Sequence, residues 1–157
     1  MLLTIEKVII LKSVSIFKEI PEESLVEVAS LLEELDIKAG AEIFHKDDIG
    51  TSMYTIVEGK VRVHDGDKEI DTLADREVFG ELAALDPVPR SASVTAIDDT
   101  YLFRMEQAAL YELMGQYLDV AQGIIRVLCK RIRDCDALLR AARPDQQAAT
   151  SSEGASG

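Results

Sequence analysis

Several residue types that carry specific functions are scarce in this sequence. Its 157 residues include no tryptophan, two histidines and two cysteines. Only 17 residues are lysine or arginine against 29 aspartates and glutamates, which leaves a net charge of −12. Nucleic acids and anionic membrane surfaces attract clustered positive charge, so we expect no nucleic-acid partner and no membrane insertion. A buried anion site stays open, because one or two local cations and backbone N–H groups suffice for it.

Long apolar runs and closely placed cysteines are also lacking. The run Val8–Leu11 is too short to cross a bilayer and lacks the length of a signal peptide's apolar region. Cys129 and Cys135 are six residues apart on a predicted helix, where their side chains point in different directions at different heights. We therefore expect reduced thiols and a cytoplasmic protein, or the soluble part of a larger one.

The two histidines do not suggest a metal site or an enzyme. His45 and His64 fall in separate predicted strands or turns, so we expect surface or rim positions and no metal ligands. The sequence contains no Gly-x-Ser-x-Gly elbow and no His-x-x-x-His pair. We therefore predict no catalytic residues and a protein that is not an enzyme.

The first hundred residues change from helical to strand-like periodicity. Residues 4–17 look helical, and the apolar spacing of Leu25, Val28, Ala29 and Leu32 after Pro21 predicts a short amphipathic helix. From residue 37 onward, short runs rich in Ile, Val, Tyr and Thr are separated by glycines at roughly ten-residue spacing. Short strands with glycine turns favour a β-sandwich or β-roll, with strands resuming at 91–96 and 100–105.

Helical periodicity returns from Glu106 to about Arg143. We expect one domain over residues 1–143 and a flexible polar tail over 144–157, too short for a helix-turn-helix. The predicted helix carries an apolar stripe that either packs on the roll or forms a dimer seam. The stripe comprises Ala121, Ile125, Leu128, Ile132, Cys135 and Leu139.

The segment Phe79–Ala96, FGELAALDPVPRSASVTA, carries the chemistry. An anionic sugar phosphate needs a guanidinium to grip phosphate oxygens, backbone N–H groups, an acceptor for a sugar hydroxyl, and a glycine where the backbone passes close. All four lie within twelve residues, with Gly80 beside Glu81, a short helical turn after them, and Arg90 beside Ser91. Between strands of a roll, Glu81 and Arg90 can face a common pocket.

This segment resembles the phosphate-binding cassette of the cyclic-nucleotide-binding domain family. That family includes catabolite activator proteins, regulatory subunits of cAMP-dependent protein kinase, and cyclic-nucleotide-gated channels. Its hallmark, Phe-Gly-Glu-Leu/Ile-Ala/Ser followed by Arg-Ser/Thr/Ala-Ala, is matched by FGELA at 79–83 and RSASV at 90–94. The likeness extends over about residues 11–135, including 11–21, 38–43 and 53–63. It implies an eight-stranded β-roll, a jelly-roll-like double-stranded β-helix, with N-terminal helices and a C-terminal lid helix.

The resemblance also implies a ligand, cAMP or cGMP, and the role of each site residue. Arg90 is expected to pair with the phosphate and Glu81 to accept from the ribose 2′-hydroxyl, while Ser91 permits either base. The implied ligand-binding residues are Phe79, Gly80, Glu81, Leu82, Ala83, Arg90, Ser91 and Ala92. The implied lid residues are Leu128, Arg131, Ile132 and Cys135.

By the same resemblance, ligand binding closes the C-terminal helix over the roll and signals to a fused or bound effector. The alternative is a β-roll protein-interaction module that has lost nucleotide binding. One departure is visible, because Asp47 stands where the family usually has the first glycine of a turn. Aspartate tolerates left-handed backbone, so we expect the turn to survive. Since it lies outside the cassette, we expect no direct effect on ligand binding.

Overall fold

The eight strands among the described residues form two four-stranded antiparallel sheets. This computed structural model describes residues 1–142, apart from the side chain of Leu82. The strands are β1 (Glu33–Ile37), β2 (Glu42–Phe44), β3 (Ser52–Glu58), β4 (Lys60–Asp65), β5 (Lys68–Ala74), β6 (Val78–Phe79), β7 (Ser93–Ala96) and β8 (Thr100–Glu106). Their spatial orders are β1-β8-β3-β6 and β2-β7-β4-β5. The mainly β fold with an eight-stranded roll is therefore confirmed.

Helices flank the roll at both ends of the chain. Two precede it, α1 (Thr4–Lys12) and α2 (Glu22–Ser30), and the short α3 (Glu81–Leu85) interrupts it between β6 and β7. Two follow it, α4 (Gln107–Gln116) and α5 (Leu118–Ala142), separated by Tyr117 in extended backbone. The first predicted helix ends earlier than expected, at Lys12. Within residues 1–142, no helix combines the length and apolar character needed to cross a membrane.

The buried apolar side chains form two clusters. The smaller one fills the roll and includes Tyr54, Phe79 and Leu102. The larger one lies where the N-terminal helices, α4 and α5 pack on the outer side of β3 and β8, around Phe17 and Phe103. β3 is buried at every position except its last, because one of its faces contacts the roll interior and the other contacts the helices.

The roll-facing side of α5 differs from the apolar stripe in the sequence. Buried Val120, Gly123 and Ile124 face the core, and a Cβ at Gly123 would lie 2.7 Å from Ile16 Cα. The stripe points mostly to solvent, with exposed fractions of 57% for Ile125 and 63% for Ile132. The alternative in which the stripe packs on the roll is therefore wrong. One residue of helix is 100° of rotation, so adjacent Ile124 and Ile125 take different surroundings.

Two expectations about single residues had different outcomes. Asp47 takes a left-handed φ of 72°, so survival of the turn is confirmed. His45 is exposed, but the expected surface or rim position of His64 is wrong, since it is only 7% exposed. A β-bulge between Val63 and His64 disrupts the alternation of β4. The buried His64 ring nitrogens lie 2.8 Å from Gly66 O and 2.8 Å from Thr95 Oγ1.

Candidate ligand-binding site

Gly80 makes the sharp turn that joins β6 to α3. Its φ of 78° is strained for any residue with a Cβ. A Cβ there would also lie 2.9 Å from Arg90 Nη1 and 3.1 Å from Ser52 O. This position therefore needs glycine for both its conformation and the close approach of Arg90.

The backbone of Arg90 is held by the turn that contains Asp47. The amide of Arg90 donates to Asp48 O at 2.8 Å, and the amide of Asp47 donates to Arg90 O at 2.9 Å. The strand that was expected from residue 91 follows this segment and begins only at Ser93. The Asp47 turn is thus distant from the cassette in sequence but bonded to it in the fold.

The guanidinium of Arg90 is buried and clamped, with 5% of the residue exposed. Nη1 donates to Gly80 O at 3.0 Å and Nη2 donates to Ser52 O at 2.9 Å. Its central carbon lies 4.1 Å from the Phe44 ring centroid, a cation–π contact. A Cβ at Gly50 would come within 2.5 Å of the guanidinium, so that glycine leaves room for it.

Burial affects both the pKa and the hydrogen bonding of Arg90. Burial lowers the pKa of its guanidinium below the usual value, because the charged form loses water. The buried Nε has no hydrogen-bond partner among the described residues. Arg90 therefore uses two of its five N–H donors, and both of those donate to neutral carbonyls that an anion would outcompete.

Glu81 begins α3 and is the most deeply buried carboxylate of the site, at 1% exposed. Arg131 of α5 brings Nη1 to 2.7 Å from Oε1, an approach too oblique to form a hydrogen bond. Burial raises the pKa of Glu81, and the positive charge of Arg131 opposes that rise. Oε1 has this ion pair and Oε2 has no partner among the described residues, so the carboxylate keeps acceptor capacity that a buried polar group normally uses.

Helices α4 and α5 both contact the cassette. Arg131 Nη2 donates to Val78 O, just before Gly80, while the Tyr111 hydroxyl on α4 donates to Leu85 O at the end of α3. The two C-terminal helices thus bond to the backbone on either side of Glu81.

Arg90, Glu81 and Arg131 line one cavity of about 100 Å³. The remaining wall is mostly apolar, apart from Ser91. Seven of the eight expected ligand-binding residues line this cavity, and the eighth, Leu82, lies in α3. The wall also contains residues that the sequence argument missed, namely Phe44, Val63, Val88, Pro89 and Val94. Strand alternation could have suggested that Val63 and Val94 point into the roll. It could not have shown that their strands border the cassette.

Of the four expected lid residues, α5 brings one to the cavity. Arg131 lines it, whereas Leu128 packs against the larger apolar cluster. Ile132 and Cys135 are exposed and do not line the cavity. Ile132 and Cys135 lie on the part of the stripe that is rotated away from the roll, and Leu128 lies at its inner edge.

The site has the groups that bind a small anionic ligand. A buried guanidinium, a buried carboxylate and an apolar wall match a small ligand with an anionic group, a hydroxyl and a flat ring. Among residues 1–142, no group of three or more His, Cys, Asp or Glu side chains is placed to hold a metal ion. The cavity wall contributes no histidine or cysteine.

Comparison with known proteins agrees with this chemistry. The family model described as the cyclic nucleotide-binding domain matches residues 34–117, more than half of the chain. The chain therefore belongs to the cyclic nucleotide-binding domain family.

Three relatives illustrate the match. The chain is 28% identical over 129 residues to a CRP-like cAMP-activated global transcriptional regulator of Mycobacterium tuberculosis, covering 79% of this chain and 58% of the relative. It is 34% identical over 102 residues to the cyclic AMP receptor protein of Thermus thermophilus, covering 62% and 47%. The crystal structure of the Thermus thermophilus catabolite activator protein superposes with a TM-score of 0.74 at 27% identity, covering 82% and 62%. This chain thus spans roughly half the length of these curated relatives.

Proposed function

We propose that this chain is a cytoplasmic regulatory module that binds cAMP or cGMP in the cavity at the cassette. The phosphate pairs with Arg90, the ribose 2′-hydroxyl donates to Glu81, and the base contacts the apolar wall. One observation carries the proposal: two nearly fully buried, oppositely charged side chains with unused hydrogen-bonding atoms line the same cavity. The names of the relatives, which refer to cAMP, support the ligand class.

Phosphate binding requires Arg90 to exchange hydrogen bonds that it already makes. Its Nη atoms now donate to Gly80 O and Ser52 O. A phosphate carries full negative charge and accepts two parallel bonds from a guanidinium, which makes it a stronger acceptor than two carbonyls. Loss of the bond to Gly80 O loosens the turn from which Glu81 begins α3. Phosphate binding thereby reaches the sugar-binding carboxylate.

The output is a shift in the position of α5. Arg131 connects α5 to Glu81 and to Val78 O, so the helix senses what occupies Glu81. A ligand favours the state of α5 that it binds more tightly, in proportion to its differential affinity. The signal passes to a fused or bound effector, which accords with the greater length of the relatives and with one of them being named a transcriptional regulator. The module itself catalyses no reaction.

Two copies of the chain pair through the exposed stripe of α5. Leu118, Ile125, Ile132 and Leu139 are each more than half exposed and follow alternating intervals of three and four with Ala121, Leu128 and Cys135 between them. That interval places them at the apolar positions of a two-helix seam. Exposed apolar surface of this extent on a single helix is typical of an interface.

Calorimetric titration of the purified chain with cAMP and with cGMP tests the ligand. We expect saturable heat with at least one of them, and the ratio of their dissociation constants gives the base preference. No heat with either nucleotide up to millimolar concentration would contradict the proposal and favour a module that has lost nucleotide binding.

Arg90→Ala tests the phosphate contact in the same assay. We expect the affinity to fall by at least about 1.5 kcal/mol, or more than tenfold, because a charge-assisted pair is lost. Arg133→Ala is the matched control, since Arg133 is exposed on α5 and does not line the cavity. An unchanged affinity for Arg90→Ala, with the fold intact, would remove Arg90 from the site.

A further inference from the structure

Glu106 lies at the junction between β8 and α4, and its side chain contacts the segment Gly50–Ser52. It occupies the N-cap position of α4 but makes no capping hydrogen bond to that helix. Its two carboxylate oxygens instead accept from adjacent hydroxyls, Oε1 from Ser52 Oγ at 2.7 Å and Oε2 from Thr51 Oγ1 at 3.1 Å. The carboxylate therefore holds a neighbouring segment rather than its own helix.

The segment Gly50–Ser52 is also fixed through its backbone. The amide of Gln107, the first residue of α4, donates to Thr51 O at 2.8 Å. Ser52 begins β3 and is paired with Glu106 at the end of β8. Besides the ladder of β3 and β8, three hydrogen bonds thus join the β8–α4 junction to two successive residues.

The same segment forms one side of the channel that holds Arg90. Ser52 O accepts from Arg90 Nη2 at 2.9 Å, and a Cβ at Gly50 would lie 2.5 Å from the guanidinium. A small displacement of the segment therefore either lengthens the bond to Ser52 O or presses on the guanidinium. The position of the Arg90 side chain thus depends on where the segment Gly50–Ser52 lies.

Glu106 is held in turn by Arg104 on β8, which it shares with Glu33 on β1. Arg104 Nε lies 3.5 Å from Glu106 Oε1, and Arg104 Nη2 pairs with Glu33. The side chains of Glu33 and Glu106 are almost equally exposed, at 53% and 54%. Within residues 1–142, Glu33 makes no hydrogen bond to the segment Gly50–Ser52. The two glutamates therefore offer a matched comparison.

We propose that Glu106 is a positioning residue for Arg90. It anchors Thr51 and Ser52, and the anchored segment orients the guanidinium in the free protein. This inference rests on the proposed function for its ligand. A guanidinium that is already oriented loses less conformational entropy when it pairs with a phosphate. Loss of the anchor therefore weakens nucleotide binding, although Glu106 does not line the cavity.

The charge of Glu106 and its hydrogen bonds affect nucleotide binding in opposite directions. A carboxylate near the site repels a phosphate, so its charge alone lowers nucleotide affinity. Its hydrogen bonds orient Arg90 and raise that affinity. A neutral substitution would strengthen binding if the charge dominated, and it weakens binding if the anchor dominates. The sign of the change therefore separates the two contributions.

Calorimetric titration of the full chain with cAMP and with cGMP tests the anchor. Glu106→Ala should lower the affinity about threefold to tenfold, the equivalent of one ordinary hydrogen bond. The double variant Thr51→Val with Ser52→Ala removes both hydroxyls but keeps the charge, and it should lower the affinity by a similar factor. Glu33→Ala is the matched control and should leave it unchanged. Circular dichroism melting confirms that each variant is folded.

A conservative variant distinguishes the anchor from a general loss of structure. Glu106→Gln keeps the length of the side chain, and its amide can still bond both hydroxyls. We therefore expect Glu106→Gln to regain most of the affinity that Glu106→Ala loses. Equal losses in the two variants would contradict the hydrogen-bonding role.

NMR of the arginine side chains without nucleotide gives an independent readout. We expect separate signals from the Nη groups of Arg90 in the unsubstituted chain, because the bonds to Gly80 O and Ser52 O slow their rotation. These signals are identified by their loss in Arg90→Lys. They should merge in Glu106→Ala and stay separate in Glu33→Ala.

Two results would overturn the positioning role of Glu106. The first is an unchanged or higher nucleotide affinity in Glu106→Ala, or an equal loss in Glu33→Ala. The second is separate Arg90 signals that persist in Glu106→Ala. Failure of the proposed function is distinguishable, because it removes the heat of nucleotide binding from the unsubstituted chain and leaves the NMR comparison to decide whether Glu106 positions Arg90.

Discussion

The cassette and helix α5 meet at the ion pair between Glu81 and Arg131, yet they are held in opposite ways. The cassette is enclosed, with Glu81 and Arg90 almost without exposure and Arg90 bonded to two carbonyls. α5 is divided along its length, with Ile124 buried and Ile125, the next residue, 57% exposed. The side chains of the cassette are thus held by contacts on all sides, whereas α5 has one face packed on the core and one face open to solvent.

Under the proposed function, this difference allows the cassette to bind the ligand and α5 to respond to it. A ligand site needs charged groups held rigidly, because loosely held groups lose binding energy to conformational entropy. A responding element needs two arrangements of similar free energy, and α5 has two faces that can each be covered. Arg131 of α5 is paired with Glu81 of the cassette, so it joins the two regions.

The two faces of α5 can be compared by shortening adjacent isoleucines. Ile124→Ala should lower the free energy of unfolding by about 2–5 kcal/mol, because it leaves a cavity in the larger apolar cluster. Ile125→Ala should change it by less than about 0.5 kcal/mol at protein concentrations below the dimer range. Urea denaturation of dilute protein measures both. Equal losses would contradict the division of α5 into a packed and an open face.

The rigidity of the cassette can be compared with a turn elsewhere in the roll. Gly80→Ala should cost about 2–4 kcal/mol, since a left-handed φ of 78° is combined with contacts of 2.9 Å to Arg90 and 3.1 Å to Ser52 O. Gly40→Ala has a similar φ of 85° but open space around its Cβ, so we expect about 1–2 kcal/mol.

Denaturation and nucleotide titration together test that pair. Gly80→Ala should also weaken nucleotide binding because it displaces the Arg90 guanidinium, and Gly40→Ala should leave affinity unchanged. If the two variants lose stability and affinity equally, the close approach at Gly80 has no special role.

The smallest expected effect concerns the pH dependence of stability. Burial raises the pKa of Glu81 above 4.5, so the folded state holds this proton more tightly than the unfolded state. Protonated Glu81 therefore contributes fully to the free energy of unfolding below pH 4.5, the pKa of the unfolded state. This contribution is lost as the pH rises through the folded pKa. The slope is at most about 1.4 kcal/mol per pH unit.

Glu81→Gln should remove this loss, so its stability relative to the unsubstituted chain should rise with pH above about 4.5. Urea midpoints from pH 4 to pH 8 measure the difference. A constant difference across that range would mean that Arg131 fully offsets the burial of the carboxylate.

Much of the site followed from the sequence because its chemistry is local. Gly80, Glu81 and Arg90 lie within eleven consecutive residues, and the residue types needed for a sugar phosphate leave few alternatives there. The strand-and-glycine pattern likewise predicted a roll, since short strands must bury one face against another sheet. Strand ends were less accurate: β7 begins at Ser93 rather than at residue 91, because its extent depends on pairing with β2 and β4, which are distant in sequence.

The lid residues show where prediction from sequence stops. Leu128, Arg131, Ile132 and Cys135 are close in sequence, yet only Arg131 reaches the cavity. The rotation of α5 depends on Gly123 fitting against Ile16, a contact across more than a hundred residues. The apolar stripe could not reveal this, because a face that packs on the roll and a face that packs on another copy have the same spacing.

The burial of His64 has a similar origin. Its place in an alternating strand predicted an outward side chain, but the bulge beside Val63 breaks the alternation. Bulges depend on the pairing of two strands, which residue types along one strand do not report.

The amino-acid sequence by itself determined the class of fold, the cassette and the charged pair that a sugar phosphate would need. Those features depend on residue type and short spacing, which the chain carries along its length. The tertiary structure alone decided that Arg90 is clamped by Gly80 O and Ser52 O, that Glu81 meets Arg131, and that the stripe of α5 faces solvent. Each of these depends on distant segments packing together, and packing is a property of the folded molecule.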